Sequence, residues 1–250
     1  MPHSGAMNDA SIKPPAAPLA APLAGPPPER VVRPRDAASL ILLRGRRDDL
    51  EVLVGRRSLK ARFMPGVYVF PGGAIDPPDR VAWSVESGAE SLPPRLARAA
   101  RAAIRETWEE VGVLVGKPAE APLPDARLPN TPPRTAIERA FRERGVAAAF
   151  DRLTYVGRAI TPSHSFRRFN TRFFVGDAES VFGEPRASDE LEDAGWRQIE
   201  QSMLDGFRDV TRFMLARAVA MRRGTASGAA PLFYWAKNAR RIGICREALD

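Results

Sequence analysis

Residues 105–113 read Arg-Glu-Thr-Trp-Glu-Glu-Val-Gly-Val, and they are the densest chemical signal in the chain. On a helix, Glu109 and Glu110 follow Glu106 by three and four residues, so the three carboxylates crowd one edge. Such crowding is unfavourable unless a counter-charge relieves it. Arg105 can supply one, and a hard divalent cation such as Mg²⁺ can supply another because it prefers oxygen ligands. The alternative is an ordinary solvated acidic helix face.

The composition restricts the chemistry that the chain can perform. The 250 residues are 44% hydrophobic and 27% charged, as expected of a globular protein. The single cysteine, Cys245, excludes a disulfide framework and a cysteine-built metal site, and two histidines cannot build a histidine-rich metal centre. No apolar run approaches the ~20 residues that a membrane-spanning helix needs. Any resident metal must therefore be held by carboxylates.

Arginine carries almost all of the positive charge. The net charge is +8, and only four of the 38 basic residues are lysines. The planar guanidinium matches phosphate and carboxylate groups better than an ammonium does. This enrichment indicates phosphorylated or nucleotide-like ligands, with genomic base composition as the alternative cause. A basic chain is only a weak indicator of nucleic-acid binding, which we do not expect.

Three regions of the chain differ in pattern. Residues 1–35 are rich in proline and alanine without periodicity, which predicts a disordered leader and does not resemble a secretory signal. Residues 36–223 interleave strand and helix patterns and predict one mixed α/β domain. Residues 224–250 form a tail whose packing the sequence does not predict. We expect a soluble cytoplasmic protein.

Hydrophobic periodicity and turn residues place the elements of the domain. The predicted strands are Ser39–Leu43, Glu51–Val54, Val67–Phe70, Leu153–Ile160 and Thr171–Val175. The predicted helices are Leu92–Val111, a helix from the Thr131-Pro132-Pro133 cap to about Gly145, and Asp209–Arg223. The first two strands are expected to form a hairpin.

The segment 105–113 resembles the second half of the signature box of the Nudix hydrolases, Gly-x5-Glu-x7-Arg-Glu-U-x-Glu-Glu-x-Gly-U, where U is bulky and apolar. Thr107 replaces the first U, and six fixed positions match. They are Arg105, Glu106, Glu109, Glu110, Gly112 and Val113. The first half does not precede it contiguously, because Ser91 and Ala97 stand where its glycine and glutamate belong.

An interrupted box restores the match. The run Phe70-Pro71-Gly72-Gly73 resembles the loop before the family's catalytic helix, and Asp79 stands six residues after Gly73, at the glutamate position. Asp79 precedes Arg105 by 26 residues instead of eight, which implies an 18-residue insertion at about 80–97. Its composition predicts a surface excursion. A box with such an insertion resembles the coenzyme A diphosphatases of peroxisomes and their bacterial relatives.

A second resemblance points to the same branch, whose coenzyme A motif is Leu-Leu-Thr-x-Arg-Ser/Ala-x3-Arg-x3-Gly-x3-Phe-Pro-Gly-Gly. It is matched at Leu53, Arg57, Ser58, Arg62, Gly66 and residues 70–73, and not matched at Val54 and Gly55. The resemblance implies that Arg57, Arg62, Phe70 and Gly73 bind the substrate, with the arginine forks on its phosphates. The alternative for Arg57 and Arg62 is ordinary surface arginine.

The family resemblance implies an α/β/α sandwich with a mixed β-sheet, and a Mg²⁺ or Mn²⁺ cofactor. The implied metal ligands are Glu106, Glu109, Glu110 and the backbone carbonyl of Gly72. Glu106 is also the preferred candidate for the general base, since a carboxylate beside a metal-bound water can play either role. Arg105 would hold Glu109 in its ligating rotamer.

One more acidic group is expected from a loop before Trp196. Asp189, Glu190 and Glu192 lie there, and Glu190 is the preferred candidate.

The implied reaction is hydrolysis of a diphosphate linked to another moiety. The specific prediction is coenzyme A or acyl-coenzyme A, cleaved to 3′,5′-adenosine bisphosphate and 4′-phosphopantetheine or its acyl form. Alternative substrates are ADP-ribose, dinucleotides and other nucleotides. A non-catalytic nucleotide-binding or regulatory module and a capped-RNA hydrolase are alternatives of other classes. Beyond a small-molecule substrate we expect no nucleic acid or membrane partner, and a homodimer is left open.

Overall fold

The structure is a computed structural model of the chain. It describes residues 32–46, 49–61, 64–119, 135–200, 204, 206–226, 228–236 and 239–245. The predicted leader as far as residue 31 and the helix cap predicted at residues 131–133 lie outside the described residues. Within the described ranges, no helix is long and apolar enough to cross a membrane.

Strands dominate the described part of the chain. They are β1 (Arg35–Arg44), β2 (Glu51–Arg57), β3 (Tyr68–Val69), β4 (Gly72–Ala74), β5 (Glu86–Ser87), β6 (Leu114–Pro118), β7 (Val146–Ala149), β8 (Thr154–Ile160), β9 (Phe169–Asp177), β10 (Val181–Phe182), β11 (Leu191–Gln198), β12 (Pro231–Ala236) and β13 (Ala239–Ile244). The helices are α1 (Pro94–Val111), α2 (Ala136–Glu143) and α3 (Asp209–Arg222).

The strands form a large mixed sheet and a small one. In the large sheet the order is β11-β2-β1-β9-β8-β12-β13, with β3 beside β2 and β4 beside β1. The pairs β1–β9 and β8–β12 are parallel, and the other described pairs of this sheet are antiparallel. The small sheet has the order β10-β6-β7-β5.

Strand β1 lies between two cores, because its side chains alternate between the two faces of the sheet. Leu40 and Leu42 pack on one face with Ile104 of α1, whereas Ile41 packs on the other face with Met214 of α3. Helix α1 therefore covers one face and α3 the other. The predicted α/β/α sandwich with a mixed sheet is confirmed.

Elements with a strong local pattern lie close to their predicted bounds. Strands β1 and β2 form the expected antiparallel hairpin, in which Leu43 pairs with Val52. Helix α1 ends at Gly112, whose φ of 77° is left-handed and whose N–H donates to the carbonyl of Trp108 (2.9 Å). The three box glutamates thus lie in the last two turns of α1.

The surface excursion predicted for residues 80–97 is wrong. Trp83 and Val85 are buried, and the Trp83 ring lies 6.4 Å from that of Phe150. Glu86 accepts a hydrogen bond from Arg101 Nη2 (2.9 Å). The segment thus contributes apolar side chains to the core, an ion pair with α1 and strand β5 to the small sheet.

Two further regions differ from the expectation. Glu192 is not in a loop, because Leu191–Gln198 is a strand that pairs with β2 and carries an irregularity between Glu192 and Gly195. The tail packs as the hairpin of β12 and β13, and β12 pairs with β8. Strands β12 and β13 thus extend the large sheet.

Candidate active site

The end of α1 meets the loop and strand at residues 70–74. Ser39 of β1 donates a hydrogen bond from Oγ to the carbonyl of Pro71 (2.9 Å), and it pairs with Gly72 of β4. The N–H of Gly72 in turn donates to Glu110 Oε2 (2.8 Å). Helix α1 is thereby tied to the large sheet through a carboxylate of the box.

Both glycines of this loop are required by close approach. A Cβ atom on Gly73 would lie 2.4 Å from the carboxyl carbon of Glu106, and one on Gly72 would lie 2.4 Å from the carbonyl oxygen of Ala38. Real Cβ atoms do not approach neighbouring atoms so closely. Gly72 therefore lets β4 lie close against β1, and Gly73 lets the carboxylate of Glu106 lie directly against the backbone.

Arg105 connects Asp79 to the carboxylates at the end of α1. Its Nε lies 3.0 Å from Asp79 Oδ1 and its Nη2 lies 2.9 Å from Asp79 Oδ2. Its Nη1 lies 2.7 Å from Glu109 Oε2 and 3.0 Å from Glu106 Oε1, and Nη2 also donates to the carbonyl of Ala74 (2.9 Å). The shorter aspartate thus still reaches the arginine across 26 positions of sequence.

Burial and these charges change the protonation of the site. Burial alone would lower the pKa of Arg105, but the hydrogen bond that it donates to Asp79 and the charge of Glu106 raise it. Burial raises the pKa of Glu106 to about 7 against the charge of Arg105, and Glu109 adds to the rise. Burial raises the pKa of Glu110 to about 8 against the Gly72 hydrogen bond. Ionising both acids near neutral pH therefore calls for a cation.

The donor set fits a divalent cation. Glu106 and Glu110 offer buried carboxylate oxygens, the ligand type that Mg²⁺ and Mn²⁺ take. No group of three or more histidine, cysteine or acidic side chains in the described ranges is arranged to hold an ion by itself. Mg²⁺ commonly needs only one or two carboxylates, because water and substrate phosphates complete its shell. The arrangement suits an ion that shares its ligands with a substrate.

Two other predicted residues lie within electrostatic range of the carboxylates. The charge of Glu190 raises the pKa of both Glu106 and Glu110, and the charge of Arg57 lowers that of Glu110. The pairing of β11 with β2 explains this, since Leu191 is the partner of Arg57 and the N–H of Ser58 donates to the carbonyl of Glu190 (3.1 Å).

The remaining predicted residues do not join this group. Arg62 lies outside the described residues. Phe70 is only 5% exposed, and its ring packs edge-on against Phe207 at 5.9 Å. The structure therefore does not support the assignment of Phe70 to substrate binding, because an aromatic ring there is stabilised by the core.

Sequence reasoning missed two backbone contacts of the site. The carbonyl of Ala74 accepts from Arg105, and the N–H of Gly72, whose carbonyl is a predicted metal ligand, donates to Glu110. Neither has a side-chain signal. The short β4 strand determines both, and it forms only when residues 72–74 pair with β1.

No protein-family model matches the chain. It is 32% identical over 148 residues to a curated Caenorhabditis elegans protein named "Putative nudix hydrolase 7". The matched region covers 56% of this chain and only 43% of that protein. It is also 32% identical to a crystal structure of a NUDIX hydrolase from Alicyclobacillus acidocaldarius, with a TM-score of 0.52. That match covers 70% of this chain and 83% of the other. The chain therefore belongs to the Nudix hydrolase family.

Proposed function

We propose that the protein is a divalent-metal-dependent hydrolase of a nucleoside diphosphate linked to another moiety. The observation that carries the proposal is the joining of the two box halves by Arg105, which contacts Asp79 on one side and Glu109 on the other. A non-catalytic module would have no reason to keep buried carboxylates that repel one another. We further propose that residues 80–97 are an insertion within the box.

Glu106, Glu109 and Glu110 would hold the metal. When bound, a divalent ion neutralises charge on bridging phosphates and lowers the pKa of a bound water. Glu106 would instead accept the proton of the attacking water if the other carboxylates hold the ion, since a carboxylate beside a metal-bound water can play either role. Arg105 acts as a positioning residue for Glu109, because its Nη1 fixes Oε2 at 2.7 Å.

The substrate that we propose is coenzyme A or an acyl-coenzyme A. The spacing of Arg57, Arg62 and Gly66 supports it through the motif resemblance. The nearness of Arg57 to Glu110 supports a contact between its guanidinium and the scissile diphosphate. The products would be 3′,5′-adenosine bisphosphate and 4′-phosphopantetheine or its acyl form. ADP-ribose and dinucleotides share the diphosphate and are the competing substrates.

A substrate panel tests the proposal. Coenzyme A, dephospho-coenzyme A, ADP-ribose and diadenosine tetraphosphate are incubated with Mg²⁺, with Mn²⁺ and with excess chelator, and the products are identified by mass. We expect metal-dependent cleavage with coenzyme A as the best substrate. Full activity in chelator would exclude the metal role, and preference for ADP-ribose would exclude the coenzyme A assignment. No turnover of any diphosphate would favour a binding module.

A further inference from the structure

A second polar cavity lies on the α1 side of the large sheet, away from the box carboxylates. It has a volume of about 460 Å³. Five arginines line it together with a single carboxylate, Asp36. They are Arg33, Arg95, Arg98, Arg158 and Arg172. The segment before β1, the start of β1, the first turns of α1, the end of β8 and the start of β9 supply these residues, so the cavity is built by the fold and not by one basic run.

The inner wall of this arginine pocket is fixed by hydrogen bonds. Asn170 Nδ2 donates to Asp36 Oδ1 (2.7 Å), and Arg172 Nη1 lies 3.1 Å from the same oxygen. Arg158 Nε donates to Asn170 Oδ1 (2.5 Å). Burial alone would raise the pKa of Asp36, but Arg172, Asn170 and Arg158 lower it. Asp36 thus stays ionised and holds the guanidinium of Arg172, which is only 5% exposed, while Asn170 connects Asp36 to Arg158.

The outer wall carries charge that the described part of the chain does not neutralise. The side chains of Arg33, Arg95 and Arg98 have no hydrogen-bond or ion-pair partner among the described residues. Asp36 is the sole acidic side chain of the pocket and already serves Arg172. Five like charges around one concave surface raise the local positive potential, which favours an anion inside it. Guanidinium forks bind phosphate oxygens in pairs and thereby select phosphate.

The pocket is distinct from the carboxylate cluster but close to it. Arg98 precedes Glu106 by eight residues, which is about 12 Å along the axis of α1. Asp36 lies two residues before Ala38, the partner of Gly73, so strand geometry places Asp36 about 8 Å from Gly73 between Cα atoms. A nucleotide with its diphosphate at the carboxylates could therefore reach the pocket with a phosphate on the far side of its ribose.

We infer that the arginine pocket binds a phosphomonoester group of a nucleotide ligand. Its volume lies within the range of small-molecule sites. Two sources share this chemistry: a terminal phosphate of the substrate itself, an assignment that rests on the proposed function, and a separate phosphorylated nucleotide. For the first source, Arg57 would contact the scissile diphosphate and the pocket would contact the 3′-phosphate.

Binding without turnover tests the inference. The full chain in excess chelator is titrated calorimetrically with 3′,5′-adenosine bisphosphate and with adenosine. Arg95→Gln, Arg98→Gln and the double variant remove unpartnered charge from the pocket. Arg139→Gln is the matched control, since Arg139 is exposed on α2 and does not line the pocket. Melting curves of all variants check that they fold.

We expect the bisphosphate to bind wild type and Arg139→Gln equally and more tightly than adenosine. The double variant should lose at least about tenfold in affinity for the bisphosphate. Equal affinity in the double variant and in Arg139→Gln, or no preference of wild type for the bisphosphate over adenosine, would overturn the inference.

Hydrolysis assays of the same variants distinguish the two sources of the phosphate. If the substrate supplies it, the double variant loses kcat/KM for coenzyme A and keeps that for dephospho-coenzyme A. If a separate nucleotide supplies it, bisphosphate affinity falls while both kcat/KM values stay unchanged. Weakened binding in a protein that hydrolyses no diphosphate would leave the pocket established and refute only the proposed function.

Discussion

Asp79→Asn tests the proposed junction of the two box halves most directly. Asp79 is fully buried and accepts hydrogen bonds from Arg105 Nε (3.0 Å) and Nη2 (2.9 Å) and from the N–H of Asp76 (2.9 Å). Asparagine has nearly the same size without the charge, and its amide group would set donors against the guanidinium. The variant leaves Arg105 buried with one counter-charge fewer.

The size of the effect follows from these contacts. Removing one member of a buried ion pair costs about 3–5 kcal/mol. The lower end, about 3 kcal/mol, applies because Arg105 also contacts Glu106 and Glu109. In a domain of this size each kcal/mol shifts the melting temperature by roughly 2–4 °C, so a decrease of about 6–12 °C is expected. Metal-dependent turnover should fall as well, because Arg105 loses the contacts to Asp79 that orient its guanidinium toward Glu109.

Glu86→Gln is the matched control. Glu86 pairs with Arg101, one turn before Arg105 on α1, and both side chains of that pair are 9% exposed. Urea unfolding in chelator should give a similar loss of stability in both variants, whereas the folded Glu86→Gln protein should keep near wild-type turnover. Wild-type stability and turnover in Asp79→Asn would refute the reasoning. Equal loss of turnover in both variants would attribute it to stability alone.

Three further perturbations address the carboxylates. Glu106 and Glu110 titrate at about 7 and about 8 when folded, against an ordinary value of 4.5. The unfolded chain thus releases these protons first, and the free energy of unfolding of the metal-free protein should fall between about pH 5 and pH 8. The measurement is urea unfolding in chelator across that range. A free energy of unfolding that stays constant or rises with pH would contradict this prediction. Glu109→Gln and Glu110→Gln should each lower kcat/KM on the order of a hundredfold in steady-state assays, and wild-type rates in both would exclude them as metal ligands. Gly73→Ala should weaken Mg²⁺ binding by calorimetry, because the new methyl group displaces the Glu106 carboxylate; unchanged affinity would mean that the loop yields instead.

The sequence pattern predicted those helices and strands whose bounds depend on neighbouring residues. The helical period and Gly112 delimit α1, and alternating residues delimit the hairpin of β1 and β2. The box positions then follow, because residues three and four apart on a helix share an edge. The comparisons confirm that the chain belongs to the Nudix hydrolase family, whose signature box was used to interpret those positions.

Contacts between distant segments were not predictable in the same way. Trp83 is buried by Phe141 and Phe150, which follow it by more than fifty residues. Strand β11 was hidden because Asp193 has a positive φ of 50° at its irregularity, which breaks the period-two pattern of a strand. The arginine pocket is lined by residues from several separate elements. The arginine-rich composition therefore predicted a phosphate-binding chemistry but not the position of the pocket.

Helix α1 links the two sites through its charges. Arg95 lies in the first turn of α1, which holds no acidic residue. Glu109 and Glu110 lie in the last turn, which holds no basic residue. Both placements oppose the helix macrodipole, which favours acids at the start and bases at the end by about 0.3–1 kcal/mol each. At the end of α1, the Gly72 N–H and Arg105 offset part of this cost, and a divalent cation would offset more. At the start, a bound phosphate would do the same for Arg95. A phosphate at the start of α1 and a divalent cation at its end would thus each relieve an unfavourable charge placement, which is the physical reason to expect a ligand at both sites.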